Sequence, residues 1–114
     1  MSCCGGKTHS MNQDLILQQI DGFFQIAKNK GLSEEEASNE AYTLVRGLLF
    51  KTNEIFNENP NLKKELIFHQ MSNQAFGFYH SKDDIDEVLD SVFKSISKKI
   101  TLSKKLSDEF SNLK

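Results

Sequence analysis

The sequence predicts an all-α protein, a bundle of four to five helices behind a flexible amino-terminal tail. Three observations lead there. Apolar residues recur at steps of three and four along nearly the whole chain after position 11, the spacing that lines up one face of a helix. Residues that start and stop helices punctuate that pattern. Only Phe76-Gly77-Phe78-Tyr79-His80 alternates as a strand does, and one isolated strand cannot build a sheet, so it is read as a connection. At 114 residues the chain has the length of one domain, which sets the expected division: a tail over 1–10 and a single helical domain over 11–114.

The tail, Met-Ser-Cys-Cys-Gly-Gly-Lys-Thr-His-Ser, is small and polar and holds too little apolar surface to offset the entropy of ordering it. The first helix is expected from Asn12 to Asn29, with Ile16, Ile20, Phe23, Phe24 and Ala27 on one stripe. Gly31 supplies a left-handed stop, and Lys28 and Lys30 suit the negative helix end. Ser33-Glu34-Glu35-Glu36 is a capping box that opens the second helix, expected to reach Asn57. Ala37, Ala41, Leu44, Val45, Leu48, Ile55 and Phe56 face inward there, while Tyr42, Leu49 and Phe50 lie off the stripe. Asn59 as cap and Pro60 as first helical residue open a third helix, carried by Leu62, Leu66, Ile67, Met71 and Ala75 and fraying near Gly77.

Ser81 is expected to cap the fourth helix. Its stripe is Ile85, Val88, Leu89, Val92, Phe93, Ile96 and Ile100. Leu102, Leu106, Phe110 and Leu113 form a second stripe out of phase with the first, which places a break near Thr101–Ser103 and a short fifth helix beyond it. The segment Phe76–Val92 resembles the strand–turn–helix near the carboxy end of class V aminotransferases. Neither that family's cofactor lysine nor its phosphate cup accompanies it, so the resemblance implies nothing about this fold.

Composition narrows the function. A hydrophobic fraction of 38% supports a modest core and excludes a chain disordered throughout. A net charge of −2 gives no general attraction for nucleic acid. No apolar run reaches the roughly 20 residues of a membrane-spanning helix, and none near the start has the form of a secretory signal. Both cysteines are adjacent, Cys3 and Cys4, so no disulfide framework staples distant segments, and a reducing, cytoplasmic home is expected.

Candidate chemistry is sparse. Cys3, Cys4 and His9 could hold a soft metal ion or carry sulfur exchange, since thiolates are soft ligands and nucleophiles; three ligands without Cys-x-x-Cys spacing do not make a structural zinc site. Apart from that, no cofactor is expected. His69 and His80 have no second histidine one turn away. Gly5-Gly6-Lys7-Thr8 lacks the leading glycine and the strand of a phosphate loop. Lys94, Lys98, Lys99, Lys104 and Lys105 form an acid-free run that could meet an anion, although lysines also suit a helix end. Residues 11–59 carry eight acids against four bases, a face for a basic partner. Tyr42, Leu49, Phe50, Phe76, Phe78 and Tyr79 are candidate anchors for another protein or for a second copy of the chain.

These readings converge on a small non-enzymatic helical protein that works by binding another protein or itself, as an adaptor, inhibitor or regulatory subunit. The alternative is a thiol- or metal-handling protein using its tail, with nucleic acid and membrane disfavoured as partners. If the tail is the active part, the Cys3→Ser/Cys4→Ser variant loses uptake of zinc, copper(I) or arsenite while its thermal midpoint is unchanged. Absence of metal from the intact reduced protein, read by native mass spectrometry, removes that alternative.

Overall fold

The structure, a computed structural model, describes residues 12–113. It is an all-α bundle of four helices: α1 (Gln13–Asn29), α2 (Glu34–Glu58), α3 (Lys64–Ser81) and α4 (Ile85–Ser111), with no strand among the described residues. The tail over 1–10 lies outside the described residues. α2 and α3 each touch the other three helices, whereas α1 and α4 lie apart and do not meet.

The first two helices begin and end where local chemistry dictates. The Asn12 side-chain oxygen accepts from the Asp14 and Leu15 amides, at 2.8 and 3.4 Å, and so caps α1. At the other end Gly31 adopts φ +98°, and the Leu32 and Gly31 amides donate back to the Ala27 and Lys28 carbonyls. That is a Schellman stop, in which glycine avoids the steric cost of left-handed backbone. The capping box of α2 is complete: the Glu36 amide donates to the Ser33 hydroxyl at 3.1 Å, and the Ser33 amide to the Glu36 carboxylate at 3.0 Å.

The later boundaries differ from the sequence expectation. Asn59 and Pro60 do not start α3. The Asn59 side chain instead donates to the Ile55 carbonyl at 2.9 Å and closes α2, and the Leu62 amide turns back to the Asn59 carbonyl. α3 starts after Lys63, which makes no side-chain cap, so burial of Ile67 and Phe68 fixes its position. The segment 76–80 is neither strand nor connection; it is the last part of α3, and Ser81 ends that helix. Asp84 caps α4 through the Asp86 and Glu87 amides. The break expected near Thr101–Ser103 is absent: α4 is continuous, and the hydroxyls of Thr101 and Ser103 fold back onto the Ser97 and Ile100 carbonyls.

One core cluster runs through all four helices, with Phe23, Leu44, Leu48, Phe68, Met71, Tyr79, Val88 and Val92 fully buried. At Gly47 α4 packs close against α2, and a side chain there would collide with Leu89. A Cβ at Gly22 would come within 2.8 Å of the Phe76 ring, which lies against Phe23. The radius of gyration, 16.1 Å, exceeds the ~13 Å of a compact domain of this size. At the far end of α4 every residue from Thr101 to Leu113 is exposed.

Among the described residues three polar side chains are buried, Gln19, Thr52 and Ser72. The Thr52 hydroxyl is directed at the Met71 sulfur, 3.6 Å away, and the Ser72 hydroxyl has no partner. A buried hydroxyl without a hydrogen bond costs about 1–3 kcal/mol in lost solvation. Ser72→Ala is therefore expected to stabilise the protein by about 1 kcal/mol, raising the thermal midpoint by roughly 4–8 °C. Circular dichroism melting checks this, and an unchanged or lower midpoint contradicts it.

Candidate functional site

Among the described residues Tyr42 and Phe50 are exposed on α2 and Leu102, Leu106 and Phe110 on the far half of α4, with Leu17 on α1 and Leu66 on α3 exposed as well. On the outer side of α1 and α2, Ile16 and Ile20 from α1 and Tyr42, Val45, Arg46, Leu49 and Phe50 from α2 line a groove of about 260 Å³. Its rim is unusual for a surface, since Tyr42 is 61% and Phe50 63% exposed. The positions follow from helix geometry. Residues 42, 46 and 50 succeed one another at steps of four and Leu49 lies three beyond Arg46, so the four share one face of α2, turned away from the face that carries Ala41, Leu44 and Leu48 into the core. The Arg46 guanidinium lies 5.2 Å from the centre of the Phe50 ring, close enough for a cation–π attraction.

Of the residues expected as anchors, Tyr42 and Phe50 are therefore at the surface. Leu49 is only partly exposed and leans on the core. Phe76 and Phe78 are also partly buried, Phe76 with its ring centre 4.5 Å from that of Phe23. Tyr79 is a correction: it is fully buried and serves as a core residue, because the segment continues α3 and turns this ring under α1. Sequence reasoning missed Arg46 and the contribution of Ile16 and Ile20 to the groove. The only signal for them is spacing, and Ile16 and Ile20 read equally well as core.

Around Tyr79 the structure assembles a polar clamp. Its hydroxyl donates to the Glu40 carboxylate on α2. The Lys30 ammonium sits 3.7 Å above the ring centre, donates to the Lys82 carbonyl at 2.8 Å and pairs with Asp83 at 3.1 Å. Burial first, then the Glu40 hydrogen bond and the nearby charges of Glu40 and Asp83, push the Tyr79 phenol well above its ordinary range. A phenol held protonated at all ordinary pH is a structural donor and a poor base.

The remaining candidates are dispersed. Lys94 pairs with Asp90 at 3.2 Å, an exposed i,i+4 pair, and Lys98, Lys99, Lys104 and Lys105 are exposed along α4. His69 and His80 are exposed on α3, and His69 has only Asn73 within hydrogen-bonding reach. Among the described residues no three His, Cys, Asp or Glu side chains converge as metal ligands. The soft-metal candidates Cys3, Cys4 and His9 lie outside the described residues. No helix among the described residues is long and apolar enough to cross a membrane. No protein-family model, no curated protein and no solved structure is significantly similar to this chain.

The clamp has a measurable signature at alkaline pH. The folded phenol keeps its proton while the unfolded one releases it near pH 10, so stability present below that pH is lost as pH rises further. Thermal midpoints of the wild type are expected to fall more steeply between about pH 9.5 and 11 than those of Tyr79→Phe. Parallel curves contradict the clamp.

Proposed function

We propose that the chain is a small non-enzymatic helical protein that acts in the cytoplasm by binding another protein, with the outer α1–α2 face as the contact surface. The observation that carries this reading is the groove flanked by exposed Tyr42 and Phe50 with Arg46 stacked beside them. Tyrosine and arginine, with other aromatics, are the residue types that anchor protein interfaces, because a flat ring or guanidinium buries large area at low entropic cost. Both rings remain more than half exposed among the described residues. The groove admits an apolar side chain from a partner helix or loop, the mode in which an amphipathic segment lies in a hydrophobic trough. The acidic excess over residues 11–59 favours a partner that is basic around that apolar anchor.

The test compares partners captured from the source cell, under reducing conditions, by the wild type and by Tyr42→Ser/Phe50→Asp. Both changed side chains are exposed, so helix content and thermal midpoint are expected to move by no more than about 0.5 kcal/mol equivalent. The expected result is a partner retained by the wild type and by Cys3→Ser/Cys4→Ser but lost, at least tenfold, by the surface variant. A partner that persists with the surface variant, or that is lost with the cysteines instead, overturns the assignment.

A further inference from the structure

The face of α4 that enters the core does not stop where the core stops. Ile85, Leu89, Val92 and Ile96 succeed one another at alternating steps of four and three. The same alternation runs on through Lys99 and Ser103 to Leu106, Phe110 and Leu113. This is the a/d seam of a coiled coil, sustained for about four heptads. α2 and α3 cover its first half, where Val92 and Ile96 are buried. Nothing among the described residues covers its second half: Leu106 is 64% and Phe110 76% exposed. At 1.5 Å per residue the uncovered stretch is ~20 Å long.

We infer that this overhang pairs antiparallel with α4 of a second copy of the chain, the two helices crossing near Ser103. The first reason is a groove at the root of the overhang. Leu62, Leu66, Ile96 and Ile100, with Lys99 and Ser103, line about 310 Å³ between α3 and α4. An antiparallel crossing at Ser103 carries Phe110 of each copy to the groove of the other, so one arrangement fills both sites and closes as a two-fold dimer.

Charge gives the second reason. Glu109 lies in the last turn of α4, where the negative helix end disfavours an acid, and no basic residue accompanies it in that turn. It forms no ion pair among the described residues. Lys99 lines the groove, and it and its neighbour Lys98 have no acid in the run from Lys94 to Lys105. The antiparallel crossing brings Glu109 of one copy, which flanks the seam, toward Lys99 of the other, which sits in it, and does so twice. The polar break in the seam then lies at the centre of the pair, where a single polar position fixes register and orientation.

Other occupants fit less well. Residues 1–11 contain no large apolar side chain except their two methionines. An anionic membrane would welcome the lysines but would meet Asp108 and Glu109 at the tip. This surface is distinct from the α1–α2 face, and the failure of one proposal leaves the other standing.

The test is sedimentation velocity of the full chain under reducing conditions, from low concentration to ~100 µM. The expected result is a concentration-dependent dimer that Phe110→Asp and Leu106→Asp each weaken at least tenfold without loss of helix content. Lys98→Glu/Lys99→Glu weakens it similarly, and adding Glu109→Lys restores part of the loss. In a Cys3→Ser/Cys4→Ser background, Ser103→Cys is expected to give an intermolecular disulfide on mild oxidation. A monomer at every concentration overturns the inference. So does a dimer indifferent to Phe110→Asp, one abolished by Phe50→Asp instead, or an overhang whose measurable activity is binding to phosphatidylserine vesicles.

Discussion

Tyr79 is the point on which the arrangement of the four helices depends. Its ring lies edge-on to Phe23 of α1, its hydroxyl is held by Glu40 of α2, and its own helix is α3. Lys30, at the end of α1, covers the ring and reaches the Lys82–Asp83 link into α4. One side chain therefore touches or abuts every helix or the connection to it. The ring supplies hydrophobic area, and the hydroxyl is buried with a partner, so the group adds orientation without an unsatisfied donor. The exposed Lys30–Asp83 pair adds little by itself. Its effect is to hold Lys30 over the ring and against the Lys82 carbonyl, which fixes the turn between α3 and α4.

With the helices fixed in this way, the surfaces left over are the informative ones. α2 has two apolar faces, one in the core and one carrying Tyr42, Leu49 and Phe50 beside α1. α4 has one long apolar face of which only the first half is used within the chain. Both present large apolar side chains beside charge. Apolar patches beside charge are the feature on which both proposed contacts rest.

The two surfaces differ in what they ask of an occupant. The α1–α2 groove is short, with an arginine and two rings at its edge, and suits a single inserted anchor. The α4 overhang is a periodic stripe with a polar interruption and an out-of-place glutamate. Periodicity requires a periodic partner, and a helix with the same alternation of four and three is present in every other copy of the chain. A dimer built that way would leave both α1–α2 faces outward, because α1 and α4 do not meet in the bundle. Such a protein would present its contact face twice, and two linked contacts bind more tightly than one.

The sequence by itself determined that the chain is helical, and it determined those helix ends at which a side chain closes a local ring. Asn12, Gly31 and the Ser33–Glu36 box are legible because a cap acts within four residues and needs no tertiary partner. It also indicated most of the core of α2 and α4, since period alone places Leu44, Leu48, Val88 and Val92 on one side. Tertiary structure decided the rest. Asn59 offers equally good chemistry for ending α2 and for starting α3, and only the burial of Ile67 and Phe68 selects the first. Tyr79 reads as a surface aromatic until α3 is seen to continue through Gly77 and turn the ring under Phe23. The stripes of α4 read as two helices because polar Lys99 and Ser103 occupy the seam positions between Ile96 and Leu106, so the apolar residues alone change phase there. What separates Val92 from Phe110 is how far α2 and α3 extend alongside them, and no local pattern of residues encodes the length of a neighbour.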